Sequence, residues 1–142
     1  MDIAKAEDFC RSYGQAMKDG SGTALAGHYS FPYVSFTNGW ISIFKDQAEA
    51  DESVSSHVAR FERRGLGVDI RLSDFRVEPV SEGSALCHLR WEIFPADDTP
   101  GWSWGNIYGL RVREDGGMAF EFNISDNEIG ELLGRFPDFM TS

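Results

Sequence analysis

Few side chains in this 142-residue sequence stand where they could do chemistry, and the best placed of them are uncharged. Tyr13 lies on the apolar stripe of an amphipathic helix predicted over residues 3–18. There a phenol either donates to a ligand oxygen or has its hydroxyl tied to a neighbour. Tyr108 and Asn106 share one strand face with Trp104, and polar groups on an apolar wall either orient a ligand or satisfy the core. Of the three histidines, His28 falls at the end of a short second helix beside the expected pocket mouth and is the preferred base. His57 falls one position from the apolar stripe of a third helix, and His88 on the polar face of a strand. The three are 29 and 31 residues apart, with no H-x-x-x-H or H-x-H pair, so no metal site is expected. Asp126 closes the last strand. Its carboxylate either reaches a pocket or, with Ser125, caps the following helix. No G-x-S-x-G, P-loop or G-x-G-x-x-G stretch occurs, and no cofactor is expected.

The elements that must position these groups follow from periodicity. Ile3, Ala6, Cys10, Tyr13 and Met17 recur at helical spacing, and Asp19-Gly20-Ser21-Gly22 stops the helix. A short helix is predicted over 23–29, then a strand over 33–36, a Thr37-Asn38-Gly39 turn and a return strand over 40–44. Ala50, Val54, Val58 and Phe61 mark a third helix over 47–63. Strand three alternates through Val68, Ile70 and Leu72, then slips to Phe75 and Val77, which predicts a bulge near Ser73-Asp74. Strand four turns Ala85, Cys87, Leu89, Trp91 and Ile93 one way and Leu86, His88, Arg90, Glu92 and Phe94 the other. Strand five groups Trp104, Asn106, Tyr108, Leu110 and Val112. Strand six groups Met118, Phe120, Phe122 and Ile124. Ser125-Asp126-Asn127-Glu128 has the form of a capping box before a short last helix, and the apolar tail 136–140 is expected to dock on the body. This order predicts a curved sheet wrapped on three helices around a pocket. Tyr33, Trp40, Trp91, Trp102, Trp104, Phe120 and Phe122 would line it with Tyr108 and Asn106, and the long segment 94–102 reads as a lid.

Composition bounds the rest. A chain of this length is expected to be one domain over 1–142, burying roughly 68–70% of its unfolded surface. Its net charge is −10, from 13 basic and 23 acidic residues. That balance argues against nucleic acid or an anionic membrane as a partner. No apolar stretch approaches the ~18 residues of a spanning helix. Met-Asp-Ile-Ala-Lys has neither the charged nor the apolar region of a signal peptide, so a cytoplasmic address is the expectation. Cys10 and Cys87, the only cysteines, both read as small buried hydrophobes, with a disulfide between them left open.

Helix, short helix, hairpin, helix and four long strands is an order that resembles the cone-shaped α+β family of nuclear transport factor 2, ketosteroid isomerase, scytalone dehydratase and the SnoaL-like polyketide cyclases. The resemblance runs over nearly the whole chain and is carried by Tyr13-Gly14-Gln15-Ala16-Met17-Lys18-Asp19-Gly20, the 33–44 hairpin and the 114–117 turn. The chain resembles in particular the small bacterial SnoaL-like proteins with no assigned reaction. The resemblance implies an NTF2-like cone: an α+β fold, its curved mixed sheet packed on three helices around a central pocket. It also implies a homodimer through the outer sheet face, where Arg90, Glu92, Arg111, Arg113 and Glu121 are either cross-strand pairs or interface residues. Tyr13 matches the tyrosine that holds an oxyanion in ketosteroid isomerase, and the second donor falls near Tyr108, where that enzyme has an acid. Its general base, an Asp ending the first strand, has no counterpart in Val34-Ser35-Phe36-Thr37-Asn38, so proton shuttling by that route lacks a carrier. Three readings follow. One is a cyclase, dehydratase or isomerase in which Tyr13 and Tyr108 polarise a carbonyl and His28 or Asp126 is the base. The others are a non-catalytic binding module for an apolar or aromatic metabolite, and a protein-interaction scaffold with a filled core.

Overall fold

The computed structural model describes residues 1–37, 40–126 and 128–141. In chain order these form α1 (Ile3–Asp19), α2 (Gly22–Ala26), β1 (Tyr29–Thr37), β2 (Trp40–Phe44), α3 (Gln47–Arg63), β3 (Ile70–Ser81), β4 (Ser84–Ile93), β5 (Trp102–Val112), β6 (Met118–Ser125) and α4 (Glu128–Arg135), with a 3-10 turn at Phe139–Thr141. Asp2, Ser21 and Asp46 each start a helix by accepting the backbone N–H three residues on, which satisfies one otherwise orphaned donor. Gly20, at φ 67°, takes the left-handed turn that ends α1. Two helices are substantial, at 17 residues each, while α2 has five. It stops at Ala26 instead of reaching Tyr29, because the chain is drawn into β1: Phe120 donates its N–H to the His28 carbonyl at 2.8 Å. The predicted Asn38-Gly39 turn and the Glu128 half of the capping box lie outside the described residues and side chains.

The six strands form one sheet in the order β2-β1-β6-β5-β4-β3. Every neighbouring pair is antiparallel except β1 with β6, so the sheet is mixed. Its concave face is covered by α1 and α3. Two bulges bend it. In β3, Leu72 pairs with Trp91 and Asp74 with Arg90, leaving Ser73 as the extra residue, as the slip in periodicity predicts. In β6, Leu110 pairs with Phe120 but Gly109 pairs with Phe122, so Glu121 is extra.

This second bulge corrects the sequence reading of β6. Phe120 stays inside, but beyond Glu121 the faces exchange. Asn123 and Ser125 are buried, while Ile124 is 47% exposed on the outside. Phe122 turns outward with it and lies over Gly109, where a Cβ would come within 2.1 Å of its Cε1. Only a glycine lets that ring pack flat on the strand.

The deep end of the cone is solid. Trp91 and Phe120 are completely buried, and the Tyr13 ring meets both edge-on, at 5.9 and 5.1 Å between centroids. Cys10 of α1 and Cys87 of β4 are buried free thiols. The hydrogen bond that Cys10 donates to Cys87, together with burial, pushes the Cys10 thiol far above its ordinary range, so it stays protonated and behaves as core.

Candidate functional site

Toward the wide end, the concave face and α3 separate to leave a cavity of about 280 Å³. β5 contributes Trp102, Trp104, Asn106 and Tyr108. β1 and β2 contribute Tyr33, Ser35, Thr37, Trp40, Ser42 and Phe44, and α3 contributes Ser53, Val54, His57, Val58 and Phe61. Leu132 and Met140 close one side. Among the described residues the lining holds no Asp, Glu, Lys or Arg.

Four tyrosines form the floor. The hydroxyls of Tyr13 and Tyr29 are hydrogen-bonded to each other. Burial, reinforced by the neighbouring Tyr108 and Tyr33, holds the Tyr13 phenol well above its ordinary range, so it is a neutral donor and never a phenolate. Tyr29 stacks on Tyr33 at 3.9 Å, and Tyr33 lies parallel to Phe44. From Tyr33 a polar line runs across the sheet. Its hydroxyl donates to Asn123 Oδ1 at 2.7 Å, and Asn123 Nδ2 donates to Asn106 Oδ1 at 3.2 Å.

His57 faces this floor from α3. Its ring packs against Phe61 and Phe139 at 5.1 and 5.5 Å. Burial, with Arg60 adding to it, lowers its pKa to about 4, so at neutral pH it is an uncharged imidazole. Among the described lining residues it is the one imidazole, and it takes up a proton only well below neutral pH.

The predicted site residues therefore separate. Tyr13, Tyr108, Tyr33, Trp104 and Asn106 come together in the cavity lining, and Trp40 stands at its mouth, 54% exposed. Trp91 and Phe120 lie behind the lining as core, and Phe122 is on the outer face. His28 is outside the cavity. Its Nδ1–H donates to the Ala24 carbonyl at 2.7 Å, and Ser12 Oγ bonds Nε2 at 2.9 Å, so both nitrogens are occupied. Asp126 is on the outer face as well. It accepts the Gly105 N–H at 2.8 Å and Arg90 Nη1 at 3.0 Å, and so does not enter the cavity. The segment 94–102 is tethered: Ala96 donates its N–H to Leu66 at 2.6 Å, and Arg135 lies over Trp102. Trp102 is already in the wall, 6% exposed.

Neither a family model nor a curated protein matches this chain. Solved structures do. An NTF-2 like protein of unknown function from Shewanella oneidensis MR-1 superposes with a TM-score of 0.68 at 12% identity, over 88% of this chain and 98% of that one. An ntf2-like protein with a cystatin-like fold from Novosphingobium aromaticivorans gives 0.69 at 15% identity, over 95% and 87%. The fold is NTF2-like. A ketosteroid isomerase-like protein from Erwinia carotovora atroseptica, at 0.64 and 15% identity over 84% and 90%, shares it. Identities this low speak to architecture alone, because one fold carries many unrelated sites. In this NTF2-like chain the described β1 residues lining the cavity are Tyr29, Tyr33, Ser35 and Thr37, so no carboxylate enters from that strand. Among the lining residues that sequence reasoning did not select are Asn123 and His57, the latter ranked below His28. The signal for Asn123 was Gly109, since a glycine inside a strand often marks a bulge. No sequence signal singled out His57.

Proposed function

We propose that this protein binds one small, uncharged, largely apolar or aromatic molecule in the NTF2-like cavity. The observation that carries this is the absence of any ionised side chain from the described lining of a chain whose net charge is −10. A charged ligand would lose its water and gain no partner, a cost of several kcal/mol. The volume equals roughly nine waters at about 30 Å³ each, which suits one or two rings. Indane is thus expected to quench the fluorescence of Trp102 and Trp104 saturably, at one per chain. Indane-2-carboxylate should bind at least about tenfold more weakly. An anion that binds as well as the hydrocarbon, or no saturable binding of either, would refute the proposal.

His57 favours a second reading, an enzyme of the cyclase, dehydratase or isomerase kind. A neutral imidazole in the same lining as the phenols of Tyr13 and Tyr108 is the pairing of base and donor such chemistry uses. His28 and Asp126 are too far out to serve. Binding without turnover remains the first reading, because the Tyr13 hydroxyl is already engaged by Tyr29.

We also propose that the protein is a homodimer through the outer sheet face. Strand register sets two apolar rows side by side there, Phe122–Val34–Ile43 and Ile107–Ile124–Phe36–Ile41. Ile41 is 65% exposed, Ile43 60% and Phe36 40%. Beside the rows the charges are already matched, Arg111 with Glu121 at 2.6 Å and Arg90 with Asp126 at 3.0 Å. A second copy would cover an apolar patch of the kind that marks interfaces. Sedimentation should give twice the 15.9 kDa chain mass, and Ile41→Asp with Ile43→Asp should halve it. A wild-type monomer at micromolar concentration would exclude the dimer.

A further inference from the structure

The two outermost strands of the sheet are built differently. Along β3 the edge is broken up: Ser73 bulges, Pro79 has no N–H, and Arg71, Asp74, Arg76 and Glu78 carry charge. Those are the means by which an edge strand avoids pairing with another chain. β2, at the opposite edge, has none of them. It reads Trp40-Ile41-Ser42-Ile43-Phe44, without a charge, a proline or a bulge against β1. All of it but Phe44 is exposed, Ile41 and Ile43 by 65% and 60%. As an outermost strand it turns a row of backbone N–H and C=O groups outward. The order of its residues selects what fits there. From either end β2 runs aromatic, isoleucine, serine, isoleucine, aromatic, so in an antiparallel pair it complements itself.

We propose that β2 of a second copy of this chain docks antiparallel on the β2 edge, about a twofold axis at Ser42. Ser42 then meets its own counterpart, Ile41 meets Ile43, and Trp40 meets Phe44. Directly opposed residues project to one face, so every pair joins like with like. A register centred on Ile41 instead sets Trp40 against Ser42 and forfeits the match. This contact is distinct from the outer-face dimer, which covers the side chains of Ile41 and Ile43 but not the strand edge. Trp40, Ser42 and Phe44 line the cavity. The pairing therefore lays the second copy's Phe44 beside Trp40 at the mouth and sets two mouths side by side. A pair of five-residue strands falls short of the roughly 1,200 Å² at which specific complexes become stable. The contact is accordingly weak and forms well above micromolar concentration.

The test is sedimentation of the wild-type chain from about 10 μM to about 1 mM. Salt at about 0.3 M screens the repulsion between chains of charge −10. The mass should climb beyond its micromolar value, whether that value is one chain or two. Ser42→Lys alone should keep its micromolar mass, and so should Ser42→Glu alone, because like charges then meet on the axis. Mixed in equal amounts, the two variants should associate at least as strongly as the wild type. Only a residue on a twofold axis meets its own counterpart, so the rescue reads the register. The Ser42 side chain is exposed, and neither substitution disturbs the core. A wild-type mass that stays constant up to 1 mM overturns the proposal. So does association of either single variant as strong as that of the wild type, or a mixture that stays apart. The outer-face dimer is judged separately, by the mass at the micromolar end.

Discussion

Trp91→Ala is expected to cost about 3–5 kcal/mol, whereas Trp91→Phe should cost no more than about 1 kcal/mol. Trp91 is completely buried in the middle of β4, between Leu72 on β3 and Trp104 on β5. Truncation to alanine removes the largest side chain in the fully buried core and leaves a cavity that the bent sheet cannot collapse. Against a typical stability of about 5–15 kcal/mol that is about a fifth of the total at the least, and most of it in a marginal fold. Phenylalanine keeps much of the ring volume and removes a liability. The indole Nε1 is buried with no hydrogen-bond partner among the described residues. Releasing an unmatched donor returns about 1–3 kcal/mol, which offsets most of the lost contact. Urea denaturation, read through the midpoint at constant slope, separates the two variants. Equal destabilisation by Phe and Ala would mean that packing alone governs the site and that the indole N–H is matched in solution.

How much of this was legible in the sequence depended on whether a change of face left a mark. The bulge at Ser73 did, because Leu72 and Phe75 cannot share an unbroken period of two. The bulge at Glu121 did not, because Phe120 and Phe122 are both apolar and a straight strand would alternate the same way. The faces exchanged silently there, and with them the positions of Phe122 and Asn123. Gly109 was the trace of that event, on the opposite strand and not on β6. The third helix was legible from its Ala50–Phe61 stripe, and the Asp46 cap fixes its start in the structure. Its functional face was not. Apolar periodicity finds residues that pack, and a residue lining a void stands beside the packed stripe. His57, one position from Val58, ranks below His28 in the sequence because a lone histidine is more often an ordinary surface residue. His28 attracted attention as a polar group at a helix end, yet local bonds to Ser12 and Ala24 engage both of its nitrogens. Fold is a property of the average pattern and survives such errors; a site is a property of single side chains and does not.

His57 carries the second large effect. Its pKa is about 4 in the folded chain against 6.5 for an ordinary histidine. Above pH 6.5 both folded and unfolded chains hold it neutral, and it contributes nothing to pH dependence. Between 6.5 and 4 the unfolded chain binds a proton that the folded chain refuses, so stability falls as pH falls. At about 1.4 kcal/mol per unit the loss reaches up to about 3 kcal/mol and is constant below pH 4. Carboxylates titrate over the same range, but they do so equally in His57→Phe, which keeps an aromatic ring against Phe61 and Phe139. The difference between the two stability profiles should therefore be flat above pH 6.5 and open by up to about 3 kcal/mol, or roughly 10 °C in Tm, by pH 4. Parallel profiles would mean that His57 is hydrated and titrates as a surface histidine. That result would also undo the uncharged pocket, because an imidazolium would then stand in its wall at mildly acid pH. If the profiles diverge, the cavity stays free of charge across the physiological range, and its affinity for a neutral molecule should not change between pH 6 and 8.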